Sequence, residues 1–258
     1  MGKIPHIVYC VLIMRLIQNL RLLVCVPVLA VLFSCTAQIN GVVKEGGSAE
    51  LKLSTSLGVR TSALARQMRA FMGEPESAPL LDAAMIREPL ALVPGVSAVS
   101  LRNTAPSALE GTITVSNIGN FLSQSAPDGG RFITYTEGRQ AGTSSLVLQL
   151  NKTSVAQLLP FLSEELTLYL SALVAPIVME EDSTLAEYLD TLKRIYGAAL
   201  ADEVAAASIR AIIDFPRPIT LIEGGNVVRG APSNRAEFDI PLSELLVLEN
   251  PLRYEVRW

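Results

Sequence analysis

The sequence predicts an α+β fold: an antiparallel sheet with Gly-Gly hairpins near both ends of the folded part, backed by a helical block. Three observations carry that expectation. The runs "INGVVKEGGSAELKLSTSL" and "ITLIEGGNVVRG" alternate apolar and polar residues around Gly46-Gly47 and Gly224-Gly225, pairs at which a positive φ costs little. The middle of the chain is a series of short segments rich in β-branched and aromatic residues, separated by Gly, Pro, Asn and Asp. From about Asn151 to Ala206 the apolar residues recur at helical steps instead.

Taken in order, the first hairpin opens within a few residues of Cys35. After it, "RTSALARQMRAFMG" has helical spacing, with Leu64, Met68 and Phe71 on one side, Arg66 and Arg69 elsewhere, and Gly73 as a stop. The loop "GEPESAP" leads to "LLDAAMIREPLALV", a second short helix broken near Pro89. "VSAVSLRNT", "LEGTITVSNI", "GGRFITYTEG" and "SSLVLQLN" read as adjacent strands whose short links favour antiparallel pairing. Ser154 with Gln157, and Thr184 with Glu187, have the spacing of capping boxes. Between them "QLLPFLSEELTLYLSALVAPIVM" is the most apolar stretch after Cys35, and it reads as a helix over 158–179. "LAEYLDTLKRIYG" closes at Gly197, with Lys193 and Arg194 where the helix dipole favours cations. "AALADEVAAAS" continues helically, and "IRAIIDF", "ITLIEGGNVVRG", "RAEFDIP" and "RYEVRW" return to strands.

Ahead of this domain stand Arg15 and Arg21, the apolar run "LLVCVPVLAVLF" and the small residue Ser34, with no acidic residue before Cys35. A basic start, an apolar middle and a small residue at the cut is the order of a secretory signal. Residues 1–34 are therefore expected to be a signal peptide, with Met14 as an alternative initiator, and 35–258 a single domain. The ending Leu32-Phe33-Ser34-Cys35 resembles the lipobox of bacterial lipoproteins, in which the cysteine is acylated and becomes the mature N-terminus. Phe33 departs from the usual small residue, as in the relaxed lipoboxes of spirochaete-type lipoproteins. The resemblance implies a protein held in the cell envelope, on the inner or outer membrane, by acyl chains on Cys35. Two or three such chains anchor durably where one would not.

Removing Lys3, Arg15 and Arg21 from the 21 basic residues leaves 18 against 25 acidic ones, a net charge of −7. That balance opposes nucleic acid as a partner, because phosphate contacts need clustered Lys and Arg. The cysteines are Cys10, Cys25 and Cys35 and the one histidine is His6. Beyond Cys35 the chain thus has no means of building a disulfide, a Ser-His-Asp triad, a Cys-His pair or an ordinary zinc site, and no cofactor is expected. Carboxylate chemistry stays open. Glu164-Glu165 would diverge on a helix, and Glu180-Glu181-Asp182 precedes a helix start where acids are usually solvated. "GGNVVRG" opens no helix and so reads as a hairpin turn, not a phosphate cradle. Arg217, between Pro216 and Pro218, reads as part of a rigid exposed turn.

The N-terminal "NGVVKEGGSAELKL" hairpin, an α/β middle and the C-terminal "DFPRPITLIEGGNVVRG…NRAEFDIPL" are together similar to the layout of LppM-type bacterial lipoprotein domains. That resemblance implies a membrane-tethered α+β domain with lipid or glycolipid as ligand. The residues themselves add one candidate site. Leu166, Leu170 and Leu173 share a face of the 158–179 helix, which has more apolar positions than a one-sided stripe requires; the alternatives are a core helix and the wall of a cavity for a lipid-like ligand. Two functions follow: a membrane-anchored, non-catalytic binding or structural lipoprotein, or an envelope enzyme using carboxylates or an oxygen-ligated metal.

Overall fold

The computed structural model describes residues 36–71, 73, 75, 77–124, 133–156, 171–179, 181–228 and 232–258. Residues 1–34, Cys35, Leu166 and Leu170 lie outside them.

Alternation builds the larger sheet. Strand β1 (Thr36–Val43) pairs with β2 (Ala49–Ser56) in an unbroken antiparallel register from Thr36↔Ser56 to Val43↔Ala49. The turn between them holds Gly46 and Gly47 at φ 82° and 74°, and Lys44 N–H closes it on the Ser48 carbonyl at 2.8 Å. Strands β3 (Val96–Ala105), β4 (Ala108–Val115), β7 (Ser208–Asp214), β9 (Gly225–Val227) and β10 (Arg235–Pro241) complete the order β3-β4-β2-β1-β7-β10-β9. Every neighbouring pair is antiparallel except β1 with β7, which run parallel. A second, wholly antiparallel sheet has the order β5-β6-β11-β8, from β5 (Ile133–Thr136), β6 (Ser145–Leu150), β8 (Leu221–Glu223) and β11 (Leu252–Arg257). The α+β class, mostly antiparallel, is as the sequence predicts.

Eight helices stand among the described residues: α1 (Val59–Phe71), α2 (Ala83–Ala91), α3 (Ile118–Gln124), α4 (Lys152–Ala156), α5 (Pro176–Met179), α6 (Leu185–Tyr196), α7 (Ala198–Ala206) and α8 (Leu242–Val247). They and the second sheet cover the inner face of the large sheet in two halves. Over the end where β1 begins, Ala37, Ile209 and Ile240 pack with Leu192, Leu200, Val204 and Leu245 of the helices. Over the other end, Val43, Ala49, Val115 and Phe238 pack with Val256 and Trp258 from the second sheet and with Leu90 of α2. Trp258 stacks on Phe215 at 4.5 Å between ring centres. The outer face is polar, with Arg210 paired to Glu237, Asp214 to Arg235 and Arg102 to Glu110.

Several sequence expectations need correction. Gly224-Gly225 is not a hairpin turn. β8 pairs with β11 in the second sheet and β9 with β10 in the first, so this glycine pair is where the chain crosses between sheets. Crossing brings the backbone close to both: a Cβ on Gly224, at φ 71°, would stand 2.5 Å from the Arg253 carbonyl, and one on Gly225 2.5 Å from the Phe238 ring. Phe71 does not share a buried face with Leu64. It is 96% exposed, and α1 buries Ala65 and Arg69 instead. Helix α2 runs past Pro89 to Ala91 because Leu90 is fully buried beneath it. The cap near 154 lies three residues earlier than read, where Asn151 Oδ1 accepts from Ser154 N–H at 2.8 Å; Gln157 is outside the described residues. The Thr184–Glu187 capping box and the Gly197 stop form as expected.

The two glycine pairs give opposite stability predictions. Gly46→Ala meets open space and strains only φ, so it should cost about 1 kcal/mol, whereas Gly224→Ala must also displace a carbonyl and should cost about 3 kcal/mol. Urea unfolding of residues 36–258 measures both, and equal midpoints would contradict the crossover account.

Candidate functional site

Cys35 itself lies outside the described residues, and its neighbour Thr36 is the first of them. Thr36 is already a strand residue, paired with Ser56 on one side and Ser208 on the other. Thr36 therefore sits directly on the central strand, at the end of the sheet that also carries the Pro106–Ser107 turn and the start of α1. That end is tied together by hydrogen bonds. Leu57 N–H donates to the Ser107 carbonyl at 2.9 Å and Leu80 N–H to Pro106 at 2.7 Å. The first turn of α1 has unsatisfied amides and no acid of its own. Glu203 of α7 supplies the cap from 142 residues away, accepting from Thr61 N–H and Oγ1 at 2.8 Å each and from Arg60 N–H at 3.0 Å.

Leu173 lies at the heart of the helical half of the core. It is 3% exposed and packs in the cluster that includes Ala175, Tyr188, Leu192 and Leu246. Its partners in the expected site, Leu166 and Leu170, are outside the described residues. The helix expected over 158–179 is interrupted where it can be seen. Residues 171–172 are helical, Val174 turns left-handed at φ 49°, and α5 restarts at Pro176. Proline disfavours helical geometry in the residue before it, which explains the break at Ala175. A β-branched residue at positive φ is a costly conformation.

A second unusual feature lies beside the first. Tyr188 is buried in the same cluster, and its hydroxyl has no hydrogen-bond partner among the described residues. Burial pushes its pKa up. Tyr196, one helical step from Leu192, instead donates its hydroxyl to the Ala172 carbonyl and so pins the turn. An unsatisfied buried hydroxyl costs about 1–3 kcal/mol and calls for an explanation. Nothing in the sequence marked Tyr188, because its position on the apolar stripe of α6 is that of an ordinary core residue.

The carboxylates are committed to structure. Hydrogen bonds from Arg235 hold Asp214 below the usual carboxylate range, with Nε and Nη2 at 2.6 and 2.7 Å. Glu255 is 3% exposed between Arg257 and Arg253, and their hydrogen bonds hold it low as well. Glu187 is lowered by its cap on Thr184, and Asp182 by Lys152. Among the described residues, each carboxylate displaced from its ordinary pKa is thus displaced downward, the opposite of what a general acid needs. Of the acidic pairs in the sequence, Glu181 is exposed, while Glu164, Glu165 and Glu180 lie outside the described residues. No group of three His, Cys, Asp or Glu side chains that could hold a metal ion occurs among the described residues. Arg217 is not in an exposed turn; its Nη2 donates to the Gly138 carbonyl at 2.7 Å and reaches Ser144 Oγ at 3.3 Å, pinning the loop before β6.

No protein-family model and no curated protein matches the chain. Among solved structures, the chain is similar to the NMR structure of the folded domain of Mycobacterium tuberculosis LppM, with 9% sequence identity and a TM-score of 0.38 over 86% of this chain and 87% of that one. No helix among the described residues is long and apolar enough to cross a membrane.

The charge network sets a pH prediction. Asp214 and Glu255 are lowered in the folded state, so their stabilisation is complete above the unfolded carboxylate range and is lost as pH falls through it. With no histidine after His6, the urea midpoint of residues 36–258 should stay flat from pH 8 to about pH 5 and then fall. Glu255→Gln should lower the midpoint at neutral pH and flatten the acid limb. An unchanged acid limb would show that this pair contributes nothing.

Proposed function

We propose that this chain is a cell-envelope lipoprotein: residues 1–34 are a signal peptide, Cys35 carries the acyl chains, and the domain from Thr36 onward is a non-catalytic binding or structural module. The observation that carries the reading is the junction itself. An apolar run ends at Leu-Phe-Ser-Cys, and the next residue enters the central strand, so a lipid on Cys35 holds the whole sheet against its membrane without an intervening linker. The downward-displaced carboxylates support binding over catalysis.

The ligand in this reading is lipid-like and occupies the apolar region of Leu166, Leu170 and Leu173, with the Tyr188 hydroxyl as its polar contact. What supports this is the coincidence of a buried hydroxyl with no partner among the described residues and a left-handed valine next to Leu173.

Two measurements test the proposal. Cys35→Ser should abolish labelling by a fatty-acid probe and leave unprocessed precursor; normal labelling would refute the anchor. Tyr188→Phe removes the hydroxyl and keeps the ring, so it should leave stability unchanged or raise it by about 1 kcal/mol. The same variant should bind a fluorescent fatty acid about tenfold more weakly than the wild type, as expected for one lost buried hydrogen bond. A wild type that binds no probe would assign Leu173 and Tyr188 to ordinary core.

A further inference from the structure

We propose that helix α1 is the surface by which the domain docks on its own bilayer, so that the sheet stands end-on to the membrane. This rests on the reading that Cys35 is acylated, and it adds an orientation and a contact surface to that reading.

Position is the first argument. The chain outside the structure ends at Cys35, against Thr36, and Ser56 is the strand partner of Thr36. Helix α1 begins at Val59, three residues beyond Ser56, which a chain spans in about 10 Å. Both ends of the helix are fixed at that end of the sheet. Its first turn is capped by Glu203 of α7, and Arg69 in its last turn donates to the Pro79 carbonyl at 2.7 Å. The next residue, Leu80, is bonded to the Pro106 carbonyl in the β3–β4 turn. A lipid on Cys35 therefore brings the whole length of α1 to the bilayer surface.

Composition is the second. On a domain of net charge −7, "VRTSALARQMRAF" contains three arginines and no acid. Its exposed positions are Val59, Arg60, Ala63, Gln67, Ala70 and Phe71, a band of small, apolar and basic residues. The two large apolar residues stand at its ends, Val59 at 78% and Phe71 at 96% exposure. Phe71 stands clear of the core among the described residues, and Phe is one of the residues that interfacial helices bury at the headgroup boundary. Arg60, the one arginine of the helix that is exposed, also suits an anionic leaflet. So small a patch would bind a membrane weakly from solution. It suffices when the tether already holds it there at millimolar effective concentration.

The test uses the full chain, purified with its anchor and reconstituted in vesicles of mixed phosphatidylcholine and phosphatidylglycerol. Acylation occupies Cys35, so Phe71→Cys, Val59→Cys and Val42→Cys each present a single thiol for an environment-sensitive fluorophore. Val42 is exposed near the far end of β1, about 20 Å along the strand from Thr36. Labels at 71 and 59 should shift to the blue, lose most of their quenching by aqueous iodide and gain quenching by lipid-borne bromine, while 42 stays open to iodide. Protein that floats with the vesicles but leaves 71 and 59 open to iodide overturns the docking and keeps the anchor. Protection of 42 as well overturns the end-on orientation. Protein that does not float overturns the anchor and the docking with it.

Discussion

The parallel pairing of β1 with β7 is the constraint on which the remaining structure depends. Residues 36–42 lie in register with 208–214, although residues 43–207 separate them. Between them the chain first lays β2, β4 and β3 beside β1 in the same sheet, and then returns to β7 through helices and strands of the covering layer. The strands at the centre are built for such cover. Ala37, Gly41, Ala211 and Ala236 point inward from β1, β7 and β10, small enough for helices and the second sheet to approach closely. A Cβ on Gly41 would already touch the Leu51 side chain at 3.0 Å. The large residues come from above: Tyr188, Leu192, Trp258 and Phe215, all fully buried. Because the two strands are far apart in sequence, their pairing is entropically late and commits the rest of the fold when it forms.

What was legible in the sequence is what local chemistry decides. Gly46-Gly47 makes a turn because both residues need positive φ and the flanking strands are close in sequence. Thr184 and Glu187 satisfy each other's backbone amides, and Gly197 ends α6, within a few residues, with Glu249 adding one further cap on Leu185 N–H. The misreadings share a cause. Gly224-Gly225 carries the same local signal as the first pair, but each flanking strand finds a stronger partner elsewhere, β11 and β10, and the glycines serve close approach between sheets. Helices α3 and α8 escape the sequence reading because each is short, seven and six residues, too few for a helical period to show. The parallel pair itself leaves no local mark.

The candidate site divides in the same way. Cys35 is singled out by a linear pattern alone, basic residues, an apolar run and Ser34, which needs no knowledge of the fold. Phe71 was placed on an apolar stripe with Leu64 and Met68 by spacing alone. The structure shows that the inward face of α1 is set by Ala65 and by Arg69, whose guanidinium is bonded to a carbonyl, so the phenyl ring is left outside. Tyr188 and Val174 could not be singled out at all. A tyrosine on an apolar stripe and a valine before Ala-Pro are unremarkable as letters, and only burial and backbone geometry reveal that both sit in costly states beside Leu173.

The account turns on one proposed covalent feature, the lipid on Cys35, since the proposed orientation of the sheet, role of α1 and station of the domain all derive from it. Mass spectrometry of the N-terminal peptide from the membrane-extracted protein measures it directly. The account predicts a peptide beginning at Cys35 and carrying two or three acyl chains. A peptide that begins upstream of Cys35, or one that begins at Cys35 with an unmodified thiol, would contradict it.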